Sequence, residues 1–407
     1  MNTVRFLREN AKWLAAGALL SFLSSFGQTF FVSLFAGEIR DAFSLSLGDW
    51  GGIYAIGTAV SAALMVFAGP LADRLRIRSL GLLVVTGLSL ACFAMALNPS
   101  GTALVLVILA LRFFGQGMLN HLSVVAMARW FVANRGKALA VGALGFSLGE
   151  AAIPIPMVWL KGFVDWRLIW VGAGLFCLTM LPVLAFLLRT ERAPKSMSED
   201  NSSPGMDGRH WTRGETMRHP LFWAMASATL MISAIGTLFW FHQVHFAEIK
   251  GWSHLALVSV FPLGTLALSL STVGYGVAID RFGVDRLLPL YLLPLCLAFV
   301  LHGLAPNVTW TAAGVILMGI AGGGQATLSA ACWGVFFGTR HIGSIKSIAL
   351  AFMVLGSALG PAISGILIDL GVSYEAQLMF YSALFAVLAG FITYTVRIAR
   401  KQLPGSS

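Results

Sequence analysis

Arg112 stands in the stretch LALRFFGQGMLNHL, residues 109–122, inside a long apolar run. A guanidinium keeps its charge at any physiological pH and offers five N–H donors in a planar fork that matches a carboxylate. At about 100° per residue, Gln116, Asn120 and Ser123 share its helical face, which makes a polar stripe in an otherwise greasy helix. The nearest deep acid is Glu150, in the next apolar run, which must travel the opposite way. Its depth falls within roughly one helical turn of that of Arg112, so an ion pair between neighbouring helices is expected. The chemistry implied is recognition of an anion by Arg112. An acid that loses its cationic partner in a dry setting takes up a proton more readily, so Glu150 is the expected proton-coupling residue. Gln28, Gln325 and Trp240 sit on the polar faces of other apolar runs and complete the expected substrate contacts. No nucleophile–base set is present, so no catalytic residue is expected. The cysteines Cys92, Cys177, Cys296 and Cys332 have neither paired nor zinc-ligand spacing, so no metal and no cofactor are expected either.

These groups need elements to hold them, and the composition says which kind. Of 407 residues, 57% are hydrophobic and 11% charged, against about 25% charged in soluble domains. The chain therefore reads as an all-α integral membrane protein. Runs of about 20 apolar residues suffice to span a bilayer. Twelve are found, near 13–36, 50–70, 80–97, 102–126, 138–160, 168–188, 220–245, 255–279, 287–305, 309–332, 346–369 and 377–396. The first is too long for a cleavable signal and reads as a retained span. On this count Arg112 lies about 15 Å deep. An arginine there costs about 2.5–3.5 kcal/mol, and so it must face protein or water.

An even number of spans puts both termini on one side. Of the 27 basic residues, Arg40, Lys161, Arg167 and Lys250 fall on the opposite side and Arg112 within the bilayer; the rest lie with the termini. The positive-inside rule then makes the termini cytoplasmic, in the plasma (cell inner) membrane. Topology thus accounts for the net charge of +10 without a nucleic-acid partner.

The expected organisation is a six-helix bundle over 1–188, a Ser-, Pro- and charge-rich cytoplasmic linker over 189–219, a second six-helix bundle over 220–401 and a tail, 402–407. The halves repeat weakly. GPLADRLRIR at 69–78 matches GVAIDRFGVDR at 276–286, which sets Asp73 against Asp280; Gln116 matches Gln325, and SLGE at 147–150 matches ALGP at 358–361. Near-constant offsets argue for duplication. Asp73, Arg74, Arg78, Asp280 and Arg281 then form an expected cytoplasmic gate of charges at helix ends. Ordinary helix-end caps are the alternative.

Twelve spans, a mid-chain linker and two G-x-x-x-D-R loops resemble the major facilitator superfamily. Arg76 stands where that family's loop usually has glycine. RWFVANRGKALAVGALGFSLGEAAIPIP at 129–156 and TMRHPLFW at 216–223 are similar to its monocarboxylate porter and oxalate/formate antiporter branch. That branch often carries an arginine in span eight, which is absent here. The resemblance implies two pseudo-symmetric six-helix bundles and alternating access, with a site near the midplane.

The function read from this is a secondary transporter, expected as a monomer in the lipid bilayer, that moves a small organic anion by symport with protons or by exchange. The alternative is a multidrug or metabolite exporter of the same fold in which Arg112 and Glu150 are purely structural. A membrane enzyme built on His242–Glu248 and a transport-dead sensor are the remaining classes. ATP drive is disfavoured, since no phosphate-binding loop occurs.

Overall fold

In hydrocarbon every backbone N–H and C=O must be satisfied within the protein, which favours helices throughout. The computed structural model describes residues 3–131, 134–190 and 204–403, and among these no strand occurs. Ten helices are long and apolar enough to cross a membrane. We label them with two further elements, in chain order, so that helix number equals span number. In the first half α2 is Leu47–Ala68, α3 Ile77–Leu97, α4 Gly101–Trp130, α5 Arg135–Leu160 and α6 Trp166–Leu187. In the second, α7 is Pro220–Phe241, α8 His254–Phe282, α10 Val308–Phe337, α11 Ile342–Asp369 and α12 Tyr374–Arg400. The pair Ala11–Gly27 and Thr29–Phe43, bent by 43°, is α1, and the shorter Leu293–Leu304 is α9. Most helices run past their apolar stretches, because their charged terminal turns are still helical.

Two spans differ from continuous helices, each for a local reason. In α1, Ser24 Oγ donates to Ser21 O at 2.6 Å, the turn Ser24–Gly27 tightens to 3-10 geometry, and Gln28 is extended at φ −82°, ψ 154°. Serine back-bonding followed by glycine is a recurrent cause of kinks. Before α9, Pro289 and Pro294 withhold two N–H donors. The chain there advances by tight turns, Leu290 N to Leu287 O at 2.9 Å and Leu293 N to Leu290 O at 3.1 Å.

The chain divides into two units. The first holds Met1–Ser198 with Trp240–His245, and the second Glu199–Phe239 with Phe246–Ser407. Inside the first, α1 packs on α5, α2 on α4 and α3 on α6; inside the second, α8 packs on α10 and α9 on α12. A Cβ at Gly145 would meet Ala18 O of α1, and one at Gly149 would meet Ser25. At the repeat-related positions of α11, Cβ atoms at Gly356 and Gly360 would meet Leu230 O and Ala234 O of α7. Small residues at the same register thus bring corresponding backbones together in each unit.

Every even-numbered helix begins with a side-chain cap. In the first unit Ser46, Ser100 and Asp165 accept from Asp49 N, Ala103 N and Arg167 N. In the second, Ser253, Asn307 and Ser373 do the same for α8, α10 and α12. Each such cap contributes about 1 kcal/mol. The odd-numbered helices end near those caps, and there the few basic residues of that face bind carbonyls. Lys161 Nζ donates to Leu34 O at 2.6 Å and pairs with Glu38 at 2.6 Å. Arg167 donates to Ala96 O and Asn98 O, Arg40 to Leu45 O, and Lys250 to Gly303 O while pairing with Glu375. Cations at helix C-termini complement the dipole.

Of the expected linker, residues 191–203 lie outside the described residues, as do 404–407 of the tail. The remainder packs on the second unit. Asp207 N donates to Gln402 O, and Trp211 N to Phe337 O. Thr212 and Glu215 form a capping box. Bonds from the Thr212 hydroxyl and N–H, with Arg209 beside it, hold the Glu215 carboxylate down at about 2. His219 sits against the rings of Trp211 and Phe337. Its Nδ1 accepts from Leu221 N at 3.2 Å, capping α7. Burial lowers its pKa below the ordinary histidine value.

Candidate functional site

Arg112 is buried, with 1% of its surface exposed. It opens a wide π-helical segment of α4, Arg112–Leu119. At the start of that segment α4 meets the break in α1. A Cβ at Gly115 would lie 2.6 Å from Gly27 Cα, so the two backbones touch. Breaking α1 frees the Gly27 carbonyl, and Arg112 Nη1 donates to it at 3.2 Å. The same Nη1 donates to Thr29 Oγ1, also at 3.2 Å. Thr29 Oγ1 hydrogen-bonds in turn to the Tyr54 hydroxyl of α2, and the guanidinium carbon lies 5.1 Å from the Tyr54 ring centre. Nε and Nη2 have no hydrogen-bond partner.

That division of the guanidinium is chemically specific. Nε–H and one Nη2–H point the same way and form one edge of the fork, while Nη1 lies on the other side. The open edge is thus a complete bidentate site, the geometry arginine uses for carboxylates. Buried N–H groups without partners each cost about 1–3 kcal/mol, more on a charged group. An oxyanion on that edge would remove the cost.

Glu150, half-buried in α5, is not among the partners of Arg112. The ion pair expected from depth does not form, because the break in α1 supplies a carbonyl and a hydroxyl at closer range. The stripe is also altered. Within the π-helical segment each residue turns less than in an α-helix, so positions past Gln116 rotate away from the wheel drawn from sequence. Ser123 donates to Gly17 O at 2.7 Å and holds α4 on α1. Gln116 and Asn120 are half-buried on α4. Gln28, 7% exposed, is the extended residue of the break itself.

Trp240 belongs to the first unit. Its carbonyl accepts from Ser33 Oγ and Gln243 Nε2, and Gln243 also donates to Phe30 O and Ser33 Oγ. Phe241 stacks on Trp50 at 5.4 Å and lies 4.7 Å from Tyr54, backing the ring that faces Arg112. Gln325 is in the second unit, where it opens a π-helical segment, Gln325–Ser329, of α10. Its Oε1 is buried without a partner.

At the charged loops the ion pairs fall on other residues than expected. The side chain of Asp73 lies outside the described residues. Arg74, Asp280 and Arg281 are exposed and Arg78 half-buried, and no ion pair among the described residues involves any of the four. Arg281 lies over the ring of Phe282. In the second unit the acid that pairs is Asp285, 3.0 Å from Arg400 Nε of α12. In the first, the 69–74 loop is held through its carbonyls. Arg129 of α4 donates to Ala72 O at 2.6 Å, and His121 lies 3.2 Å from Gly69 O. A carbonyl acceptor carries no side-chain signal, which hides these anchors in the sequence. Thr29 and Tyr54 were hidden for a similar reason, as lone hydroxyls within apolar runs.

Comparison with known proteins agrees with this architecture. The Major Facilitator Superfamily family model matches residues 17–276 and 251–406. A gallate transporter of Pseudomonas putida is 29% identical over 158 residues, covering 38% of this chain and 34% of that one. The chain thus matches about a third of the length of this curated relative. A bacterial homolog of the human lysosomal transporter Spinster, inward-facing and unoccupied, superposes with a TM-score of 0.72 at 17% identity, over 98% of this chain and 99% of that one. The nucleoside transporter NupG gives 0.69 at 15% identity, over 94% and 98%. At such identities these structures show the fold.

Proposed function

The chain belongs to the Major Facilitator Superfamily and is a membrane transporter with an alternating-access fold, not an enzyme; from that premise we propose that it carries a small organic anion bearing a carboxylate. The observation that carries the reading is the open Nε–Nη2 edge of the buried Arg112. A buried fork with one edge used and one complete edge spare suits a ligand carboxylate. The partial match to a gallate transporter supports an aromatic acid. So does the resemblance of residues 129–156 to the monocarboxylate porter and oxalate/formate antiporter branch. Gln28, Gln116, Asn120, Trp240 and Gln325 supply neutral contacts in this reading, and Glu150 carries the coupled proton. Asp73, Arg74, Arg78, Asp280 and Arg281 are the charges of a cytoplasmic gate. The distribution of lysine and arginine supports cytoplasmic termini in the cell inner membrane, with the protein acting as a monomer.

A second reading has its own support. Nη1 bridges both sides of the break in α1, so Arg112 would serve solely as a staple in an exporter of another substrate class. Arg112→Lys separates the two, because lysine keeps the charge but has no planar fork. In proteoliposomes with radiolabelled gallate and benzoate, the anion reading expects uptake to fall at least about tenfold, the worth of one charge-assisted bond. Saturable uptake of either acid at wild-type rates by the lysine variant would sink it.

A further inference from the structure

We infer that Thr29 and Tyr54 are positioning residues that decide which edge of Arg112 is offered to the anion, and that they tie occupancy of that edge to the hinge in α1. This rests on the reading of Arg112 as the anion site.

The argument starts from the degrees of freedom of the guanidinium. A planar fork on a flexible stem presents whichever edge its bonds leave free. Here Nη1 has two acceptors, Gly27 O and Thr29 Oγ1, at equal distances of 3.2 Å. One bond alone would let the plane pivot about it, whereas two acceptors at one corner set the plane and its roll. The Thr29 hydroxyl is itself held by the Tyr54 hydroxyl. The ring of Tyr54 faces the guanidinium at 5.1 Å, and Phe241 lies 4.7 Å behind that ring. The plane is thereby fixed at one corner and along one face, and the edge left over is Nε–Nη2.

The two acceptors also lie on opposite sides of the break. Gly27 ends the tight turn, Thr29 begins the following helical stretch, and only the extended Gln28 separates them. A pull on the guanidinium by an anion on the free edge is therefore felt by both flanks of the hinge. Position 29 needs a hydroxyl, and position 54 needs a hydroxyl on an aromatic ring. Valine at 29 keeps the shape and removes the oxygen, serine restores the oxygen without the methyl, and phenylalanine at 54 keeps the ring alone.

The experiment measures initial rates of gallate uptake by proteoliposomes holding the full chain, with thermal unfolding of each variant as a check on folding. Thr29→Val is expected to raise KM by about 10-fold or more, the loss of one bond to a charged group, with the maximal rate within about twofold of wild type. Thr29→Ser is expected to return KM to near the wild-type value, and Tyr54→Phe to raise it several-fold. A structural role would instead lower the maximal rate and thermal stability together, without rescue by serine, and that outcome overturns the inference. If Arg112→Lys abolishes uptake while Thr29→Val and Tyr54→Phe keep the wild-type KM, the positioning role is wrong and the anion site stands. If Arg112→Lys transports as wild type does, or wild type takes up neither gallate nor benzoate, the anion site fails and the positioning role with it.

Discussion

Gly115→Ala tests the contact on which the site is built. A methyl at Gly115 would lie 2.6 Å from Gly27 Cα, 2.8 Å from Gly27 N and 3.3 Å from Leu88 Cδ1. Carbon atoms rest about 3.5–4.0 Å apart, so α1 and α4 must separate by roughly 1 Å. The two nearest obstacles are backbone atoms and cannot swing aside as a side-chain tip can. Overpacking of this kind costs about 1–3 kcal/mol, and the better helix propensity of alanine returns at most about 1. The same movement stretches the bond from Arg112 Nη1 to Gly27 O, now 3.2 Å, beyond hydrogen-bond range. The variant should therefore lose about 1–2 kcal/mol of stability and most of its uptake. Gly52→Ala in α2 is the control, since a Cβ there meets nothing within 4 Å; it should be neutral or mildly stabilising. Thermal unfolding in detergent, paired with uptake in proteoliposomes, reads both effects. A Gly115→Ala protein that unfolds no earlier than wild type and transports normally would show that these backbones do not touch.

Three further outcomes are expected. Lys161→Met strands Glu38 and frees the Leu34 carbonyl, and should destabilise by about 2–3 kcal/mol, toward the low end for broken buried pairs because Glu38 is one-third exposed; no change in thermal unfolding would contradict it. His219 caps α7 through an unprotonated Nδ1, and its folded pKa is lowered. Stability should thus be full above about pH 6.5, where the unfolded imidazole is neutral too, and should fall as pH drops toward the folded pKa, because the unfolded chain then binds more protons. His219→Asn keeps a cap without titrating, so the difference between its pH–stability curve and that of wild type should appear only below about pH 6.5; parallel curves would refute the cap. Glu150→Gln should retain counterflow of labelled gallate but lose accumulation driven by a pH gradient, and accumulation at wild-type levels would remove Glu150 from the coupling.

Much of the architecture was legible because a bilayer demands long apolar runs. Even α9, shortened by its prolines, could be placed from composition alone. Arg112 was legible for the same reason, since a charge is conspicuous where charges are expensive. Its partners were not. Pairing by depth favoured Glu150, the one conspicuous acid at that level, while the structure supplies a carbonyl released by a kink and a threonine that looks unremarkable in sequence. The kink at Gln28 depends on how Ser24 bonds backward, a choice between helix and tight turn that neighbouring spans help decide. The polar stripe was drawn at a constant 100° per residue and could not register a wider turn. Asp285 escaped notice because both repeats advertise the preceding D-R pair, whereas its partner Arg400 lies far along the chain.

The wide turn at Arg112–Leu119 has a consequence for chain length. A π turn holds one residue more than an α-helix would use to cover the same rise. Deleting a single residue there would let α4 close up into regular geometry, but everything beyond would swing by about 100°. Ser123 would be carried away from Gly17 O, and Arg129 from Ala72 O. Exchanging side chains in this segment is thus a local event, whereas shortening it re-indexes half a helix, and the surplus residue at Gln325–Ser329 imposes the same intolerance on α10.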